Sequence, residues 1–194
     1  MLRNKCDGLN FKHYQIIILK KTLKLALLMS LISCNTFDND NCTSIYLIRH
    51  AEKIRTDENE KDPLLNKSGL LRAIKWSEIF EKIEIDKILS TDTKRTISTV
   101  IPTSDKKQLK VETYRPEEIS YETFLKENKG NKVLIVGHSN TIPETTNILI
   151  KKKIYNQIED NNNSNLYFVN ICDGIISHEL LFYPMEGQIT KDSI

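Results

Sequence analysis

The chain has 194 residues, 39% of them hydrophobic and 28% charged, with a formal net charge of +2. That length suits one domain of ordinary size with its own core. Of the 28 Lys and Arg, six fall in residues 1–33 beside one of the 26 acids, so the remainder carries 22 basic against 25 acidic residues. This mildly acidic, mixed-sign balance gives no basis for a nucleic-acid surface and implies no polyanionic partner.

Lys20, Lys21 and Lys24 precede the run Leu25 to Ser33, which is too short to span a bilayer but suits the apolar region of an export signal. Leu31-Ile32-Ser33-Cys34 resembles the bacterial lipobox, in which a Cys is lipidated and becomes the mature N-terminus. Residues 1–33 are therefore expected to be a lipoprotein signal peptide, 34–42 the lipidated Cys34 with a flexible tether, and 43–194 the folded domain. The expected location is the bacterial cell envelope, lipid-anchored to a membrane on its extracytoplasmic side. The rival reading, a buried amphipathic helix with an incidental Cys, is opposed by the polar stretch Asn35 to Asn41.

Ser44 to Ile48 is a compact apolar run, as expected of a strand buried on both faces. A polar loop from Lys53 to Asp62 follows. Asn66 or Ser68 can then cap a helix reaching about Ile83, whose inward face is expected to hold Leu70, Leu71, Ile74, Trp76, Ile79, Phe80 and Ile83. Lys87 to Ser90 reads as a second strand. Asp92 is the expected cap of the next helix, which Pro102 should disturb.

Lys110 to Tyr114 alternates like an edge strand, and Ser120 to Asn128 reads as a short helix stopped at Gly130. Lys132 to Gly137 is the strongest strand, with a helix from Asn140 to Ile150 after it. Lys151 to Asn165 reads as a mobile, solvated loop. Leu166 to Ile171 and Ile175 to Tyr183 flank Asp173-Gly174, a two-residue hairpin signal. The pattern predicts a three-layer α/β sandwich with a mainly parallel central sheet and a C-terminal antiparallel hairpin. Cys42 and Cys172 would meet in a disulfide if the strands they flank were antiparallel neighbours; otherwise they are independent thiols.

His50 and His138 each follow one of the two most apolar strands, where ligands bind in open α/β sheets. Arg49 adjoins His50, and Arg95 lies in the first turn after the second strand, so cationic donors and imidazoles share one edge. Planar guanidiniums meet phosphoryl oxygens with paired, charge-assisted hydrogen bonds.

Arg49-His50-Ala51-Glu52 resembles the Arg-His-Gly/Ala-Glu signature of the histidine phosphatase superfamily, also called phosphoglycerate mutase-like. The stretch Ser90 to Thr99 resembles its Ser-x-x-x-Arg-x-x-x-Thr segment, and Val136 to Ser139 its second-histidine motif. The resemblance implies that His50 is a nucleophile forming a phosphohistidine, and that Arg49, Arg95 and His138 bind the phosphoryl group. It implies neither a metal nor an organic cofactor. The proton donor to the leaving group is expected at Glu118, with Glu52 as the alternative. The expected partner is a small-molecule phosphoester, and the expected class is a phosphatase. The competing class is a non-catalytic lipoprotein that uses the same pocket to hold a phosphorylated ligand.

Overall fold

The computed structural model describes residues 41–57 and 59–185. The leader, Cys34 and all but the last two residues of the tether lie outside them. No helix among the described residues is long and apolar enough to cross a membrane.

The elements are β1 (Cys42–Arg49), α1 (Lys67–Ile79), β2 (Lys87–Ser90), α2 (Lys94–Lys107), β3 (Val111–Thr113) and a 3₁₀ turn (Pro116–Glu118). After them come α3 (Tyr121–Asn128), β4 (Lys132–Gly137), α4 (Thr141–Leu149), β5 (Asn165–Cys172) and β6 (Ile175–Phe182). The six strands form one sheet in the order β3-β2-β4-β1-β5-β6. The first four strands in sequence are mutually parallel, while β5 pairs with β1, and β6 with β5, in the antiparallel sense.

Both sheet faces are covered, which is why β1 and β4 read as unbroken apolar runs. Ile45, Leu47, Val133 and Ile135 pack against Phe124 of α3 and Ile142 and Leu149 of α4. Ile48, Leu134 and Val136 turn to the other face and meet Trp76, Phe80 and Val100 from the α1 and α2 layer. The expected three-layer arrangement is the observed one.

The α1 face is different from the expected one. Leu70, Leu71 and Ile74 are about half exposed, and the helix turns Gly69, Arg72, Ala73, Trp76 and Ser77 inward. Apolar side chains lie on both sides of this helix, so counting them does not fix its rotation. Two contacts do. A Cβ on Gly69 would collide with the Glu52 carbonyl oxygen, and the Arg72 guanidinium pairs with the Glu52 carboxylate. A charged residue thereby takes a core position. Asn66 is the cap, accepting from the Gly69 amide at 2.9 Å.

Helix α2 corrects two further expectations. Asp92 does not cap it; the Asp62 carboxylate reaches across from the preceding loop and accepts the Lys94 amide at 3.0 Å through both oxygens. Pro102 does not interrupt it either, since α2 continues to Lys107. In the hairpin, Asp173 (φ 49°) and Gly174 (φ 81°) both adopt the left-handed conformation that a two-residue turn demands. Cys42 and Cys172, the first residue of β1 and the last of β5, sit directly opposite in the antiparallel ladder and are joined by a disulfide.

Candidate active site

Strands β1 and β4 are parallel neighbours, with Arg49 in register with Gly137. The residue after each is a histidine, so His50 and His138 emerge side by side at the carboxyl edge. The His50 amide donates to the Gly137 carbonyl at 2.8 Å, and the two ring centroids stand 5.5 Å apart. A position at a strand end was legible beforehand; adjacency depends on the strand order.

His50 is buried, and its Nδ1 lies 2.7 Å from the Ala51 carbonyl oxygen. A carbonyl can only accept, so Nδ1 carries the proton and Nε2 keeps its lone pair. Burial is the largest influence on the ring and lowers its pKa to about 3. It outweighs the Ala51 carbonyl, which favours the charged form, and the nearby cations Arg49 and Arg95 act in the same direction as burial. The imidazole is therefore neutral at pH 7.

His138 is fixed in the opposite tautomer. Arg95 Nη2 donates to its Nδ1 at 3.4 Å, and Nε2–H donates to Thr91 Oγ1 at 3.0 Å. Thr91 Oγ1 donates onward to Thr96 Oγ1 at 3.1 Å. Burial first, then Arg95 and Arg49, lower the His138 pKa to about 4. In the second motif the residue four places before Arg95 is Thr91 and not Ser90, so the pattern's Ser position is held by Thr91. Thr99 joins α2 to the segment after His50, its Oγ1 accepting the Ala51 amide at 2.8 Å and donating to the Arg95 carbonyl at 2.7 Å.

The arginines use their terminal nitrogens to hold protein. Arg49 Nη1 donates to the carbonyls of Glu159, Asp160 and Asn162, and Nη2 to Asp160 Oδ1. Arg95 Nη1 donates to Asp62 Oδ1 at 3.1 Å. The Nε of each is buried with no partner among the described residues. A buried donor left unpaired costs roughly 1–3 kcal/mol. Two of them on the arginines that flank the histidine pair mark donors suited to an anion's oxygens.

Neither carboxylate expected to donate a proton is brought into this cradle. Glu118 sits in the 3₁₀ turn, exposed and paired with Arg115 at 3.1 Å. Glu52 is close in sequence, but its carboxylate is turned to Arg72, whose Nε contacts both oxygens at 2.9 and 3.0 Å and whose Nη2 contacts Oε1 at 2.7 Å. It serves as the partner of a buried cation. Among the described residues no group of three or more His, Cys, Asp or Glu side chains is placed to hold a metal ion.

The segment expected to be a mobile, solvated loop between α4 and β5 is part of the site. Ile158, Asn163 and Ser164 are buried. The Ile158 amide donates to the Ser139 carbonyl at 2.9 Å, and Asn163 Nδ2 donates to the His50 carbonyl at 2.8 Å. Asp62, Asp160, Asn163 and Arg72 were thus all missed. Composition offered no signal for the first three, since polar residues that grip a buried arginine or a backbone carbonyl look the same in sequence as solvated ones. Arg72 did offer one, standing four residues before Trp76 on the same helical face.

A match to the histidine phosphatase superfamily (branch 1) covers residues 45–123, which include Arg49, His50 and Arg95. No curated protein matches the chain closely enough to count as a relative. Among solved structures, a mycobacterial glucosyl-3-phosphoglycerate phosphatase is similar at 12% identity, with 73% of this chain and 98% of that one covered and a TM-score of 0.57. The protein histidine phosphatase SixA, in complex with tungstate, is similar at 14% identity, covering 72% and 96% with a TM-score of 0.58. Phosphoglycerate mutase from Bacillus anthracis str. Sterne is similar at 18% identity, covering 74% and 95% with a TM-score of 0.56. At such identities these likenesses establish a phosphoglycerate mutase-like fold. Together with the family match over residues 45–123, these phosphatase neighbours support a phosphatase.

Proposed function

We propose that the domain hydrolyses phosphomonoesters without a metal, through a phosphohistidine on His50, and that its substrate is a small phosphorylated molecule outside the cytoplasm. The observation that carries this reading is the tautomer of His50. With Nδ1–H committed to the Ala51 carbonyl, Nε2 offers a lone pair beside His138, and the two orphaned arginine Nε–H groups flank the pair.

His50 Nε2 attacks phosphorus, the bond to the ester oxygen breaks, and that oxygen leaves with the electron pair and takes up a proton. Arg49 Nε–H and Arg95 Nε–H donate to the non-bridging oxygens, whose charge rises along the path. Water then attacks the phosphohistidine, the P–N bond breaks and its electron pair returns to Nε2. Phosphate departs with the oxygen that water supplied. Because Glu118 and Glu52 are engaged with arginines, the leaving oxygen draws its proton from solvent or from the substrate itself. This favours leaving groups that take up their proton from solvent before they depart, such as the imidazole of a phosphoramidate, which leaves readily once its ring is protonated.

Location outside the cytoplasm is supported by the sequence of residues 20–34, where a basic cluster, a short apolar run and Cys34 follow in order. Replacing Cys34 with Ala should abolish palmitate labelling; persistent label would remove the argument for an anchor. For the chemistry, phosphate release from a panel of phosphoesters and phosphoramidates in the presence of a chelator is the direct test. Turnover that disappears in His50→Ala supports the hydrolase. Phosphate binding with no turnover supports instead the non-catalytic phospho-ligand-binding lipoprotein.

A further inference from the structure

Arg49 is among the most deeply buried cations in the domain, yet its partner Asp160 has a side chain that is 72% exposed. Asp160 Oδ1 accepts from Arg49 Nη2 at 3.0 Å, while Oδ2 accepts from Arg55 Nη1 at 2.6 Å and the Asp160 carbonyl accepts from Arg55 Nη2 at 3.2 Å. We propose that Asp160 is a positioning residue of the phosphoryl pocket, fixing the plane of the Arg49 guanidinium so that its buried Nε–H is kept for the phosphoryl group. The proposal rests on the reading of that pocket given above.

The geometry separates this role from simple loop anchoring. Three backbone carbonyls on Nη1, the Ile158 amide on Ser139 and Asn163 on the His50 carbonyl already secure the loop. Nη1 has two hydrogens to share among three carbonyls, so those contacts leave the in-plane setting of the guanidinium loosely defined. Contact at Nη2 removes that freedom and fixes the direction of Nε–H. Arg55 sits on the outer side of the same carboxylate, and Arg55 and Arg49 both lower the Asp160 pKa, so the acid stays ionised through the neutral range. Arg95 is arranged in the same way: Asp62 holds Nη1, His138 takes Nη2, and Nε is again buried and unpaired among the described residues. Both arginines thus have their outer nitrogens occupied by protein.

The test measures inorganic phosphate binding by isothermal titration, together with turnover, in the full-length protein and its Asp160→Ala and Asp160→Asn variants. Losing a charge-assisted contact that orients the donor should weaken phosphate binding about tenfold in Asp160→Ala. Asp160→Asn keeps an oxygen for Arg49 Nη2 and should recover part of that loss. The thermal midpoint should stay within a few degrees of the wild type in both, as expected for an exposed side chain. Phosphate affinity and kcat/KM within twofold of wild type in Asp160→Ala overturn the proposal alone. A wild-type protein that neither binds phosphate nor turns over any phosphoester overturns the pocket reading and the proposal with it. A tenfold loss accompanied by a large fall in thermal midpoint, unrescued by Asn, would show Asp160 to be merely structural.

Discussion

Replacing Arg72 with Met keeps the aliphatic bulk of a side chain that is 1% exposed but withdraws its charge from Glu52. Three N–H···O contacts between 2.7 and 3.0 Å disappear, and the Tyr183 carbonyl loses a donor at 3.2 Å. Removing one partner of a buried ion pair costs roughly 3–5 kcal/mol, because the remaining charge is left in a poor environment. Glu52 is 18% exposed, so water relieves part of this and the lower end, about 3 kcal/mol, applies. In a domain of this size that corresponds to a fall in thermal midpoint of roughly 10 °C. Thermal unfolding followed by circular dichroism measures it, and the double variant Arg72→Met, Glu52→Leu should regain most of the loss. The reasoning fails if Arg72→Met unfolds within 1 °C of wild type. It also fails if Glu52→Gln remains fully stable while kcat falls more than a hundredfold, a result that would restore Glu52 as the proton donor.

The histidines set a pH dependence. In the unfolded chain both titrate near the ordinary value of about 6.5, whereas in the folded protein His138 takes its proton near 4 and His50 near 3. Below pH 6.5 the unfolded state therefore binds more protons, and stability falls by roughly 1.4 kcal/mol per pH unit for each histidine as pH drops toward 4. Urea unfolding at pH 7, 6 and 5 should show that slope, and the acid limb of kcat/KM should lie near pH 4 rather than 6.5. Gly69→Ala drives a methyl group into the Glu52 carbonyl and should destabilise the domain by roughly 1–3 kcal/mol, against the gain that alanine gives in an unconstrained helix; unchanged stability would mean that α1 is free to shift. Replacing both Cys42 and Cys172 with Ser releases a crosslink spanning 130 residues and should cost roughly 2–5 kcal/mol in urea, a difference that must vanish when both proteins are measured under reducing conditions.

How far the sequence reaches is clear from particular residues. Ser44 to Ile48 and Lys132 to Gly137 are apolar on both faces, so their place in a covered sheet follows from composition, and the residues just beyond them fall at the ligand-binding edge. His50, Arg49, Arg95 and His138 converge there as expected. The hairpin at Asp173-Gly174 was equally legible, because only residues that tolerate positive φ fit such a turn. What escaped were contacts made across long sequence separations. Asp62 capping α2, Asn163 on the His50 carbonyl and Asp160 on Arg49 are polar residues in polar stretches, and local pattern does not tell a solvated carboxylate from one aimed at a buried cation. The rotation of α1 escaped for a related reason: a buried ion pair and a close glycine approach overrode its apolar count. The proton donor belongs to the same class of problem, since it depends on where a carboxylate points.

The central claim is that His50 Nε2 attacks phosphorus. Rapid acid-free quenching of the protein with a radiolabelled phosphoester, followed by peptide mapping, tests it most directly. The account predicts an acid-labile, alkali-stable phosphoramidate on the peptide containing His50, formed at a rate competent for turnover and missing in His50→Ala. Turnover that persists in His50→Ala, or label that maps to another residue, would contradict it.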